Sequence, residues 1–103
     1  MAPSADQTSP QVLCLAAVAT IREVSALRDA VLALLQGGAP AVIDCSAVEK
    51  ADVSLVQLLV SARRMAERDG GRLEFVIPPS GLVAALIRRG GFDLDVDGTG
   101  MGR

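Results

Sequence analysis

Apolar residues recur along this chain with two alternating rhythms. Val12 to Ala17 (VLCLAA) is an unbroken apolar run, the pattern of a strand buried on both faces. From Val24 the spacing lengthens. Val24, Leu27, Val31, Leu34 and Leu35 fall on one side of a helical wheel, with Arg22, Ser25, Asp29 and Gln36 opposite. That spacing predicts an amphipathic helix of about four turns. Thr20-Ile21-Arg22-Glu23 precedes it and matches the T-x-x-E capping box. Gly37-Gly38 ends it.

The alternation repeats twice. Pro40 opens a second strand, Ala41 to Cys45, apolar with a polar end, as in a central parallel strand whose tip meets a loop. Ser46 to Ala51 form that loop, and a helix follows to about Arg68, stopped by Asp69-Gly70-Gly71. Arg72 to Ile77 is a third strand, closed by Pro78-Pro79. Ser80 is placed to cap a short helix, Gly81 to Arg89, with Leu82, Val83, Leu86 and Ile87 inward. Gly90-Gly91 ends it, and Phe92 is positioned to fold back on it. The final residues alternate Asp with Leu and Val, a possible short edge strand, before turning glycine-rich. Helical crossovers between successive strands predict an α/β domain with a mainly parallel, mixed sheet of about four strands. Residues 1–103 read as a single domain, with a polar arm over 1–10 and a flexible tail over 98–103.

The second helix carries more apolar surface than one face requires. Leu55, Leu58, Leu59, Ala62, Met65 and Ala66 cluster toward the sheet, while Gln57, Ser61, Arg64 and Arg68 are polar. Val53, Val56 and Val60 fit neither set and form an expected second apolar ridge, a contact surface for another protein or for a second copy. Cover by another element of the same chain would also account for it. At the helix start, Asp52 and Ser54 compete as N-cap, Ser54 with Gln57 as an S-x-x-Q box. Capping explains both side chains. A hydroxyl at a helix start is also a place where a phosphate would meet unpaired amides and the positive end of the dipole.

Composition narrows the chemistry. Half of the 103 residues are hydrophobic, yet there are two Phe, no Trp and no Tyr. The core is therefore aliphatic, and stacking platforms for single-stranded nucleic acid are missing. With a net charge of −2, the arginines at 63, 64, 68, 88 and 89 are too few for a nucleic-acid surface. No histidine is present, which removes His-dependent acid–base or nucleophilic catalysis. Cys14 and Cys45 lack metal-site spacing and read as two buried, reduced strand residues. No metal or other cofactor is implied. The first ten residues lack signal-peptide character, and no apolar run reaches the ~18 residues of a membrane span. The expectation is a soluble, cytoplasmic protein of bacterial style with no direct membrane insertion.

A strand ending in D-x-S, a loop, then D-x-x-x-[LV]-Q-L-L opening a helix resembles the STAS family of anti-sigma-factor antagonists. The matching residues are Asp44-Cys45-Ser46 and Asp52-Val53-Ser54-Leu55-Val56-Gln57-Leu58-Leu59, with Pro79-Ser80 before the third helix. The likeness runs from about Val12 to Phe92. It implies a small α/β domain without catalysis of its own, docking onto a protein partner, often an anti-sigma-factor kinase. In the family that partner phosphorylates a Ser or Thr just after the motif aspartate and so breaks the complex. Relatives act in stressosome-type assemblies, near chemotaxis proteins, and as the small subunit of a lipid-transport ATPase. Here the usual acceptor position holds Val53, and Leu55 stands where the family usually has Gly. Ser54 is the nearest hydroxyl and the candidate phospho-acceptor.

Other classes fit poorly. A receiver domain needs an acidic cluster after its first strand and a lysine after its last, but Ala-Val-Ala-Thr follows here and the one lysine is Lys50. The glycine pairs sit at helix ends, not in phosphate-loop order. Asp93 to Gly98 matches only the first half of a calcium loop. The expected function is thus a non-enzymatic signalling module, with partner contacts at Ser46, Glu49, Asp52, Val53, Ser54, Val56 and Val60. An accessory subunit of a lipid-transport ATPase, or a protein self-associating as a homodimer through the valine ridge, are the alternatives.

Overall fold

The computed structural model describes residues 11–37, 40–92 and 94. The chain forms β1 (Gln11–Cys14), β2 (Val18–Ala19), α1 (Val24–Gln36), β3 (Ala41–Asp44), β4 (Lys50–Ala51), α2 (Val53–Arg68), β5 (Leu73–Val76) and α3 (Leu82–Gly90). The arm over 1–10, the tail over 98–103 and most of the acidic alternation before it lie outside the described residues.

Among the described residues, three strands make the main sheet, in the order β1-β3-β5, with both pairings parallel. Gln11 pairs with Ala41 and Ala41 with Leu73, so the three strands start level. A separate two-stranded ladder joins β2 to β4. Against the expected mixed sheet of about four strands, the described residues form a parallel sheet of three with a small parallel ladder beside its C-terminal end, and the segment expected as a short edge strand lies mostly outside them.

Helices cover one face of this sheet. Ala41, Ile43 and Cys45 of the central strand and Leu73, Phe75 and Ile77 of its neighbour are buried, whereas Glu74 is exposed and Val42, Asp44 and Val76 are half-buried. The first strand, expected from the Val12 to Ala17 run to be buried on both faces, is instead mostly exposed along β1. This also corrects Cys14, which is exposed on edge strand β1, beside a Val12 that is also exposed. Cys45 is buried as expected.

Helix α2 is the centre of the helical layer, packed against α1 on one side and α3 on the other. Its buried residues are Leu55, Val56, Leu59, Ala62 and Ala66, while Leu58, Val60 and Met65 are half-buried. The buried arc is therefore rotated from the expected one. A helix flanked on both sides buries a wider stripe than one lying alone on a sheet.

The helix ends follow local chemistry. Asp52, in an extended conformation, is the N-cap of α2 and accepts the Ser54 N–H, which settles the competition against Ser54. The box before α1 is half formed: Glu23 accepts the Thr20 N–H at 2.8 Å and the Thr20 hydroxyl at 2.6 Å. The helix itself starts later, at Val24. Helix α3 is capped by Gly81 with no side-chain bond, not by Ser80, and Leu82 is exposed rather than inward. Gly91 takes the left-handed conformation (φ 69°), and the Phe92 N–H donates to the Ile87 carbonyl. Phe92 packs over Gly90 so closely that a Cβ there would lie 2.3 Å from its ring. The fold-back inferred for Phe92 is thus the observed cap.

Candidate functional site

In a parallel arrangement the loops after each strand gather at one end of the sheet. Here they hold the segment from Asp44 to Ser54. Asp44 ends β3, and its carboxylate accepts the Ser46 N–H at 2.9 Å. The Ser46 hydroxyl, then its amide, hold the Asp44 carboxyl below its usual range. Glu23 is lowered in the same direction by the Thr20 hydroxyl first and its N–H second.

The loop beyond Ser46 is tied down through its backbone. Val48 is buried and donates to the Cys45 carbonyl. Glu49 and Lys50 both donate to the Ala17 carbonyl, at 2.7 and 2.9 Å. Lys50 and Ala51 then pair with Val18 and Ala19 as the β2–β4 ladder. These bonds leave the side chains of Ser46 and Glu49 exposed on an anchored loop.

Asp52 is the junction. One carboxylate oxygen accepts the Ser54 N–H at 3.0 Å, closing the start of α2. The other accepts the Ile21 N–H at 3.0 Å, 31 residues away in sequence. The approach to α1 and the start of α2 are thereby joined by one side chain.

Three apolar side chains stand around this junction. Ile21 is 62% exposed, Val53 48% and Val18 44%. Ile21 adjoins Asp52 through its hydrogen bond, Val53 follows it in the chain, and Val18 lies opposite Lys50. They come from three separate segments that lie at the same end of the sheet.

The structure therefore brings together Ser46, Glu49, Asp52, Val53 and Ser54, and separates Val56 and Val60 from them. Val56 is 0% exposed, and Val60 is half-buried against the core. The 53/56/60 ridge does not exist as a continuous surface: its second member is core, its third is half-buried, and only its first is exposed. This removes the basis for a homodimer through that ridge. Ser54 is half-buried, at the mouth of a trough between α1 and α2.

Sequence reasoning missed Val18 and Ile21. Ile21 carried a faint signal, an isoleucine inside a capping box and off the buried side of the following helix. Val18 carried none, because it follows directly on an apolar run like any core residue. No group of three His, Cys, Asp or Glu side chains is placed to hold a metal among the described residues. No described helix is long and apolar enough to cross a membrane.

A family model described as the Mlab, STAS domain matches residues 4–96. Searches of curated proteins and of solved structures each returned no match. STAS domains commonly mediate protein–protein interaction, and membership suggests a signalling module like the anti-sigma-factor antagonists. With the match spanning nearly the whole chain and the parallel α/β order in place, this chain belongs to the STAS family.

Proposed function

We propose that this chain is a non-catalytic docking module that engages a protein partner through the end of the sheet around Asp52. The observation that carries the proposal is that exposed Val18, Ile21 and Val53 lie in segments adjoining a junction held by both oxygens of one carboxylate. A small apolar patch on a rigid base, rimmed by Ser46 and Glu49, fits a contact that forms without ordering the loop first.

In this reading no phosphate switch operates at Ser54. Its backbone N–H already serves the Asp52 carboxylate. A phosphate on the neighbouring hydroxyl would face that carboxylate, so the negative charges would repel. An unswitched contact favours a second reading, a constitutive accessory subunit of a larger assembly such as a lipid-transport ATPase. What favours it is Val53 in the position where relatives carry the acceptor.

The test is affinity capture from the native host with tagged chain, comparing wild type with Val53→Asp and Ile21→Asp. Both side chains are exposed, so circular dichroism should show the fold retained. The expectation is that one protein captured by wild type is lost from both variants. If it is still captured by both, the docking surface lies elsewhere. The identity of that protein, a kinase-like regulator or a transport ATPase, separates the two readings. Mass spectrometry of chain incubated with such a kinase should find Ser54 unmodified; phosphate on Ser54 would reinstate the switch.

A further inference from the structure

The long trough between α1 and α2 has a chemistry of its own. Its volume is about 510 Å³. Apolar side chains form its floor, among them Val24 and Leu32 from α1 and Leu58 and Met65 from α2. Arg28 stands on one wall, Arg64 and Arg68 on the other, and no acidic side chain among the described residues lines it. None of the three guanidiniums is ion-paired among the described residues. The acids of the same helices, Asp29 and Glu67, lie outside it. In a chain whose net charge is −2, this is a local concentration of positive charge.

We propose that this trough receives an acidic amphipathic helix from a partner protein. From Ser54 to Arg68 the α2 wall rises about 21 Å, the length of about four helical turns. A partner helix laid along it would set apolar residues at helical spacing onto the floor and its acids against the arginines on both walls. Met65 supplies an adaptable contact. The trough is open along its length, which suits a helix approaching from solvent; a lipid tail calls for an enclosed, uniformly apolar cavity, and here Ser54, Gln57 and Ser61 also line the walls. The surface is distinct from the docking end, sharing only Ile21 and Ser54 with it, and does not depend on that reading.

The probe is a fluorescein-labelled designed helix of about 18 residues, with leucines on one face and flanking glutamates, beside a counterpart in which lysines replace the glutamates. Anisotropy with the full chain should show the acidic helix binding at least about tenfold more tightly than the basic one, and weakening as salt is raised. Arg64→Glu with Arg68→Glu should lower its affinity at least about tenfold and reverse the preference. Val53→Asp should leave it unchanged, so failure here and failure at the docking end are read separately. Equal binding of the two helices, or indifference to the charge reversal, overturns the proposal. So does binding to phosphatidylglycerol vesicles that the charge reversal abolishes while helix binding is absent, because the trough would then be a lipid site.

Discussion

Asp52 spends its two oxygens on two helices, and its replacement has a graded signature. Asp52→Ala removes the α2 cap and frees the Ile21 N–H to water, and should cost about 1–2 kcal/mol in urea unfolding. Asp52→Asn keeps one accepting oxygen and should cost about half as much. A cap that served α2 alone would show no such gradation. Asp44 and Glu23 make a second, pH-dependent contribution. Both carboxyls sit below their usual values in the folded chain, so their stabilisation is complete above the unfolded values and is lost as pH falls through the folded ones. Asp44→Asn with Glu23→Gln should therefore shrink the fall in urea midpoint between about pH 5 and pH 2.5. An unchanged fall would assign the acid sensitivity to other groups.

Helix α2 shows how far periodicity reaches. The wheel marked Leu55, Leu59, Ala62 and Ala66 as core, and all four are buried. It also placed Leu58 and Met65 on that face and Val56 off it, whereas Leu58 and Met65 are half-buried and Val56 is core, because the width of the stripe depends on which neighbours flank the helix. Val56 is fully buried, while the α1 side left a trough. The consequence is measurable. Val56→Lys should destabilise by more than about 3 kcal/mol, because it places a charge in the core. Val53→Lys should stay within about 0.5 kcal/mol of wild type. Similar values for the two would mean that the valines share an environment. The cap of α3 was legible to the residue, since Gly91 and Phe92 act through local geometry alone. Its N-terminus was not, since Ser80 offered a capping side chain that the chain does not use.

Across the whole molecule, order and class of elements were readable, and so was the segment that forms the loop end. The β2–β4 ladder was not, because two-residue strands have no periodicity and their pairing is set by the tertiary fold. Without it, nothing placed Val18 at the site. One-sided cover of the sheet was hidden for a related reason: unbroken apolar runs look the same whether one face or two are packed. The two cysteines report on that cover directly. Native chain treated with an aromatic disulfide reagent should release one thiol equivalent rapidly, from exposed Cys14, and the second, from buried Cys45, only at the rate of unfolding. Rapid reaction of both would contradict the burial of the central strand.

The level start of β1, β3 and β5 bears on how the chain comes to exist at all. Gln11 must find Ala41, and Ala41 must find Leu73, each across a complete helical crossover. Among the described residues no neighbouring pair of strands is joined by a hairpin, so none of these pairs offers a small local β nucleus. The central strand gains its second partner only when the third strand has been made, and Ile77, Val83 and Ile87 complete the same buried cluster. During synthesis the first half of the chain therefore waits, helical in places and without a finished sheet, until the last third has left the ribosome. Truncations before Leu73 should yield no stable subdomain.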